Sequence, residues 1–207
     1  MDVTIIGTGN MARGIATRAL AGGHAVTLLG HQADDAPALA SQLDGDVGSG
    51  TVGDPLASRL VVLAVPYGAL RDVAGTYGDA LAGHVLVDIT NPVDLQTFER
   101  IRPQAGSAAA ELAAAAPDAA VVKAFNTTFA GTLEQGAVGG QPLDVLIASD
   151  DEDATRLVSE LVESGGMRPL VAGPLDRAAE LEAVGYLHMA LQEGMGTGFG
   201  SAVKLIA

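Results

Sequence analysis

A single doubly wound α/β domain, with a mostly parallel sheet of about eight strands and a C-terminal helical extension, is the fold class that this chain of 207 residues predicts. Three observations carry that expectation. Short runs rich in Val, Ile and Leu recur along the chain and alternate with segments whose apolar residues fall at helical spacing. A glycine-rich turn, Gly7-Thr8-Gly9-Asn10-Met11-Ala12, joins the first such run to the first helix, the arrangement that offers a dinucleotide diphosphate to a helix N-terminus. Hydrophobic residues make up 48% of the chain while aromatics make up 3%, so the core is built of Ala, Val and Leu, as suits helices layered on a parallel sheet.

Taken in order, residues 3–6 read as a buried parallel strand and residues 10–21 as the helix after the glycine turn. Gly22-Gly23-His24 turns the chain into a second strand at 25–29, and residues 33–43 predict a short helix. The glycine-rich stretch 45–53 holds a short strand. Residues 60–65 form the clearest central strand, closed by Pro66, whose fixed φ suits the first turn of the helix that follows. Residues 83–89 give another buried strand, ended at its carboxyl edge by Thr90-Asn91-Pro92. An alanine-rich helix at 107–116 precedes a strand at 119–125, which runs into Asn126-Thr127-Thr128. Strands at 143–149 and 168–172 flank a helix at 151–164, and a long last helix spans 176–192 before a glycine-rich tail. No boundary divides the chain. Residues 1–125 are expected to be the dinucleotide-binding core, and residues 126–207 an extension that completes the second-substrate cleft and a dimer surface.

Charge and composition exclude several classes of function. A net charge of −14 with only two lysines, Lys123 and Lys204, argues against nucleic-acid and membrane partners, because neutralising phosphates needs clustered cations. The absence of cysteine removes disulfides, thiolate chemistry and cysteine metal sites together. Neither a membrane-spanning run nor a signal sequence is read, and a cytoplasmic location is expected.

The nucleotide-binding turn assigns separate tasks to its members. Gly7 permits the sharp bend, Gly9 lets the backbone approach the diphosphate, and Ala12 is small enough for helix and strand to pack. Domains selective for NAD place Asp or Glu at the end of the second strand to hold the ribose 2′-hydroxyl. Here Gly30, His31 and Gln32 occupy that place, so nothing repels a 2′-phosphate and NADP is favoured over NAD. Asp34 and Asp35 read as the acidic first turn of the next helix.

Three segments together resemble one family. They are Gly7–Gly14 with Ala21–Val26, then Val122–Thr127, then Arg168–Leu175 with the later Gly194-Met195-Gly196. The chain is similar over nearly its whole length to the NADPH-dependent reductases of the deazaflavin coenzyme F420, a family that also covers the cytosolic domain of six-transmembrane metalloreductases. That resemblance implies an NADP-dependent oxidoreductase. A hydride would pass directly between NADP(H) and the ring of F420 or a flavin such as FMN, with no catalytic acid or base. It further implies that Ala64, Val65 and Pro66 line the nicotinamide side with Asn91 and Pro92. Ile89 and Thr90 would border the second substrate, facing Lys123, Phe125, Asn126 and Thr127. Two departures stand out. His31-Gln32 replaces the Ser-Arg usual in deazaflavin reductases, which weakens the expected NADP selectivity, and Asn126 replaces a frequent His, which leaves the acceptor open among F420, a flavin and another small molecule.

Other candidate residues read first as structural. Lys123 reads first as a strand-edge ion pair and second as a holder of an acidic cofactor tail. His24 is expected to bond within its turn, His84 to be exposed, and His188 to be a satisfied interface histidine. No metal site is read, and residues 194–200 are taken as a C-terminal turn. The apolar last helix suggests a homodimer. Alternatives remain: a pyrroline-5-carboxylate reductase, for which 207 residues leave too little room, an NADPH-dependent flavin or ferric reductase, and a non-catalytic NADP(H) sensor.

Overall fold

The computed structural model describes residues 1–94 and 96–206. Its first half alternates strand and helix: β1 (Asp2–Ile6), α1 (Asn10–Ala21), β2 (Ala25–Gly30), α2 (Asp35–Ala40), β3 (Val47–Thr51), β4 (Leu60–Leu63), α3 (Leu70–Tyr77), β5 (Val85–Asp88), α4 (Ala108–Ala115) and β6 (Ala120–Lys123). The second half adds α5 (Ala130–Gln135), a hairpin of β7 (Ala137–Val138) and β8 (Gln141–Pro142), then β9 (Asp144–Ser149), α6 (Glu152–Ser164), β10 (Arg168–Gly173) and α7 (Ala178–Met195). No helix among the described residues is long and apolar enough to cross a membrane.

Eight strands form one sheet in the order β10-β9-β6-β5-β4-β1-β2-β3, parallel except where β9 runs against β6. The expected Rossmann-like sheet is therefore the observed one. Its antiparallel joint has a local cause. A parallel return from β6 would need a crossover along the whole sheet, whereas α5 is a short helix that packs on α1 and the β7–β8 hairpin then turns the chain straight into β9. The helix expected at 33–43 is shorter than read: Gln42 and Leu43 donate to carbonyls three residues back, a tighter turn that ends α2 at Ala40.

Register places the loops that matter side by side. Ile6 lies opposite Leu63, Leu63 opposite Asp88, and Asp88 opposite Lys123. The residues that follow each strand therefore emerge in one row along the carboxyl edge, where open α/β sheets place their ligands. Alternation along the strands fills both faces. Val3, Ile5, Val62, Val87 and Val122 pack with Ile15 of α1 and Val158 of α6, while Ile6, Val61, Leu63, Leu86 and Val121 pack under α3 and α4. Each such buried Val, Leu or Ile contributes about 1.5–3 kcal/mol.

The chain end is tied back to this sheet through one carboxylate. Asp144, with its side chain 1% exposed, accepts from Arg168 Nε at 2.8 Å and Nη2 at 2.6 Å, from Lys204 Nζ at 2.5 Å, and from the Leu205 N–H at 2.8 Å. Burial alone would push this carboxyl up, but those donors outweigh it and hold its pKa at about 2. The stabilisation is therefore present above the ordinary aspartate pKa and is lost as pH falls through about 2. Asp144→Asn is expected to lower stability at pH 7 by about 2 kcal/mol and to expose residues 202–206 to limited proteolysis. Denaturant titrations at pH 7 and at pH 2 check this: the gap between variant and wild type should close at the acid end.

Candidate functional site

Gly7 makes the site possible. Its φ is +118°, and a Cβ there would stand 2.2 Å from the Ala64 carbonyl oxygen, so only glycine lets β1 turn this close to the end of β4. Its N–H is fixed by the Leu29 carbonyl at 2.9 Å. Gly9, the residue before α1, differs: nothing lies within 4 Å of where its Cβ would be. That open space at the N-terminus of a 12-residue helix is a cradle that a side chain would fill, and it suits a diphosphate.

From this cradle a cleft of about 680 Å³ runs along the carboxyl edge of the sheet. Gly9, Asn10 and Met11 line one end, Ala64, Val65 and Pro66 the middle, and Ile89, Thr90, Asn91 and Asn126 the far end. Ten residues named from sequence thus meet in one cavity. Gly7, Thr8 and Ala12 shape the turn without lining the cleft, and Gly30, His31 and Gln32 lie at the end of β2, the latter two exposed. Pro92, Lys123, Phe125 and Thr127 stand buried behind the wall.

What holds that wall is a pair of amides. Asn91 Nδ2 donates to the Asn126 carbonyl at 2.7 Å, and Asn126 Nδ2 returns a bond to Asn91 Oδ1 at 2.9 Å and reaches the Leu181 carbonyl at 2.9 Å. Phe125, at φ +61°, carries the left-handed turn that sets Asn126 in place, a strain of about 1–3 kcal/mol for a non-glycine residue. Helix α7 can lie on this pair only because residue 185 is Gly, where a Cβ would stand 2.6 Å from Asn91 Oδ1. Thr90 Oγ1 and Asn126 Oδ1 border the cleft as buried oxygens without a partner, which is where a ligand bringing donors would be recognised.

Beneath the wall, Lys123 Nζ donates to Asp88 Oδ2 at 2.8 Å, to Glu182 Oε1 at 2.8 Å and to the Thr90 carbonyl at 2.6 Å. Its side chain is fully buried, so the lysine is a structural ion pair rather than a contact in the cleft. Burial pushes the Glu182 carboxyl up, and Lys123 opposes it. His188 is also structural: its ring stacks on Phe129 at 4.2 Å, Nδ1 meets the Thr127 carbonyl and Nε2 the Ser201 hydroxyl, and burial lowers its pKa. His24 bonds to the chain N-terminus and to Ser164 of α6 rather than within its own turn. His84 is half-buried, not exposed.

Sequence reasoning missed Tyr67, Phe129, Met189, Gly198 and Phe199, all of which line the cleft. The tail is the notable case. Gln192 Oε1 accepts from Thr197 Oγ1 at 2.6 Å and from Ser201 Oγ at 3.0 Å, and Phe199 meets Phe129 edge-on at 5.1 Å. The C-terminal turn is thereby folded over the cleft mouth. Among the described residues no three His, Cys, Asp or Glu side chains are placed to hold a metal ion.

Sheet, glycine turn and cleft define a dinucleotide-binding protein of Rossmann type. Comparison with known proteins narrows the class. Residues 2–92 match the family described as NADP oxidoreductase, coenzyme F420-dependent. The chain is 30% identical to the F420-dependent NADP reductase of Methanothermobacter marburgensis over 200 residues, covering 89% of each. It is 33% identical over 183 residues to the rat metalloreductase STEAP3, spanning 88% of this chain but only 36% of that protein. A crystal structure of a putative F420-dependent NADP reductase from Arthrobacter sp. FB24 superposes over 100% of both chains, with a TM-score of 0.87 and 24% identity. The chain belongs to the F420-dependent NADP reductase family and is an NADP-dependent oxidoreductase.

Replacing Lys123 by Met strands Asp88 and Glu182 as buried carboxylates and should cost about 3–5 kcal/mol of stability. Urea unfolding measures this, and a loss below 1 kcal/mol would show that the network carries no weight.

Proposed function

We propose that this protein passes a hydride between NADP(H) and the redox ring of a deazaflavin of the F420 type, or of a flavin such as FMN. The makeup of the cleft carries this reading. Among the described residues its lining holds no Asp, Glu, His, Lys or Arg, and burial together with the Glu111 hydrogen bond pushes the Tyr67 hydroxyl up to about 12. Nothing there exchanges protons near neutrality. Hydride exchange between stacked rings needs orientation and exclusion of water rather than an acid or a base, and bound NADPH supplies the hydride. In this reading the Gly7–Ala12 turn takes the diphosphate, Gly30, His31 and Gln32 border the adenosine ribose, and Val65 and Pro66 back the nicotinamide. Thr90 and Asn126 accept hydrogen bonds from ring edges. The Methanothermobacter relative, whose length the chain nearly spans, supports F420 as acceptor. The rat relative, a longer protein named as a metalloreductase, supports a metal acceptor.

Stopped-flow absorbance with NADPH and, separately, F420, FMN and a ferric chelate tests the reading. F420 should be reduced fastest, and the hydride step should stay within a factor of about 2 between pH 6 and 9 because the cleft offers no titrating group. Tight NADPH binding with no acceptor reduced would favour a sensor and sink the reductase.

A second copy of the chain is proposed to cover α7. Leu187, Leu191 and Met195 fall at four-residue spacing on it and are 59%, 49% and 54% exposed, while Met189 of the same helix lines the cleft. Light scattering should give a dimer, and Leu187→Glu with Leu191→Glu a folded monomer. A monomeric wild type at micromolar concentration removes the proposal.

A further inference from the structure

Residues 196–205 cross the mouth of the cleft as a strap fixed at both ends. At one end the Gly196 N–H bonds the Gln192 and Glu193 carbonyls and closes α7. At the other, Lys204 Nζ meets the Pro142 carbonyl at 2.9 Å and the Asp144 carboxylate, which also accepts the Leu205 N–H. Between these anchors little holds the backbone. Among the described residues, 197–203 make one backbone–backbone hydrogen bond, from the Gly200 N–H to the Thr197 carbonyl, and it stays within the strap. A Cβ at Gly196 or Gly198 would meet nothing within 4 Å, and at Gly200 only that same Thr197 carbonyl. The strap thus stands clear of the protein beneath it. Gly196, Gly198 and Phe199 have φ of +63°, +55° and +63°, a conformation that glycine adopts freely and phenylalanine keeps only under constraint.

Three side chains fasten it. Thr197 Oγ1 donates to Gln192 Oε1 at 2.6 Å, and Phe199, still 44% exposed, meets Phe129 only by its edge. The Ser201 hydroxyl lies 2.8 Å from His188 Nε2 and 3.0 Å from Gln192 Oε1. Since the Thr127 carbonyl at Nδ1 can only accept, the neutral ring carries its proton there, and Nε2 is an acceptor. Ser201 therefore has one proton for two acceptors, and the latch is incomplete.

We propose that residues 196–201 are a gate for NADP(H), swinging on the glycines at 196, 198 and 200 while Lys204 and Leu205 stay anchored on Asp144. The inference rests on the reading that the Gly7–Ala12 turn takes the diphosphate, and adds how the dinucleotide enters and leaves. Position favours that ligand. Gly198 and Phe199 line the cleft together with Phe129, Ala130 and the cradle residues Gly9, Asn10 and Met11. Ala130 lies against α1 itself, since a Cβ at Gly14 would stand 2.9 Å from its carbonyl oxygen. A dinucleotide seated in the cradle therefore lies beneath the strap. Segments held by few side-chain bonds open locally at low cost, and closing one over a bound cofactor excludes water from the reacting centre.

Stopped-flow fluorescence of NADPH tests this with no acceptor present. Association is followed on mixing, and dissociation on displacement by excess NADP+. Ser201→Ala and Thr197→Val each remove one fastening and should raise the association and dissociation rate constants together, by roughly two- to tenfold, with Kd held within a factor of about 2. A gate moves both rates, because the ligand passes it in each direction. A strap that only touches bound ligand would move dissociation alone. Ser201→Thr keeps the hydroxyl and should keep wild-type rates. Unchanged rates in both fastening variants, or faster dissociation with unchanged association, overturns the proposal. Gly9→Leu tests the cradle separately: its side chain fills the open space before α1 and should abolish NADPH binding. Binding that survives Gly9→Leu removes the cradle reading, whereas the rates in the fastening variants decide the gate.

Discussion

The buried bond set of Lys123 is the constraint on which the rest of this site depends. Its Nζ has three donors and three acceptors at 2.6–2.8 Å, so the ammonium is fully satisfied with no access to water. The acceptors come from different parts of the fold: Asp88 from the end of β5, the Thr90 carbonyl from the loop after it, and Glu182 from α7. One lysine with two carboxylates leaves a negative excess, and backbone donors offset it. The Thr90 N–H bonds Asp88 Oδ1 at 2.8 Å, and the Ala108 N–H at the start of α4 bonds Glu182 Oε1 at 2.9 Å, where the helix dipole favours a negative charge. Burying such a network gives little net stability against an apolar replacement. Its effect is positional, since β5, β6, α4 and α7 can meet in only one arrangement.

That arrangement governs the cleft above. With α7 fixed by Glu182, Gly185 three residues on lies against the Asn91–Asn126 pair, and His188 a further turn along reaches the Thr127 carbonyl. One helix thus presents, at successive turns, a carboxylate for the core, a bare backbone for the amide pair and a ring for the tail. Tail closure then rests on His188, Gln192 and Ser201, and it brings Gly198 and Phe199 onto the cleft. Water exclusion, on which the proposed hydride exchange depends, is therefore linked by a short path of contacts to a fully buried lysine.

How far this could be read from sequence follows from which signals are local. Strands at 3–6, 60–65 and 83–89 announce themselves by runs of Val, Ile and Leu, and the turn at Gly7 by its glycines. Because parallel register then aligns their ends, the residues after these strands could be assigned to one edge without a structure. Lys123 shows the limit. The sequence marks it as an ion-pair lysine, but its partner Glu182 lies 59 residues away on a helix whose pattern marks that position only as one more glutamate. Tyr67, Phe129 and Phe199 escaped for a related reason: α5 spans six residues and the tail has no regular structure, so neither offers a period to read. The Arg168–Leu175 segment is distinctive in sequence, yet its task depends on Asp144, which brings Arg168, Lys204 and Leu205 together.

Two kinds of polar group are kept apart by this architecture, and the separation bears on chemistry. Charged side chains near the site, Lys123, Asp88, Glu182 and Glu111, are each consumed by partners inside the protein, whereas the cleft itself presents only amides, hydroxyls, thioether and apolar groups. A charge beside two stacked rings would favour one redox state of either ring over the other, because hydride transfer moves negative charge between them. A neutral cleft keeps that balance in the cofactors themselves. Arg71 and Arg102 stand outside it, in the neighbouring cavity beyond Tyr67.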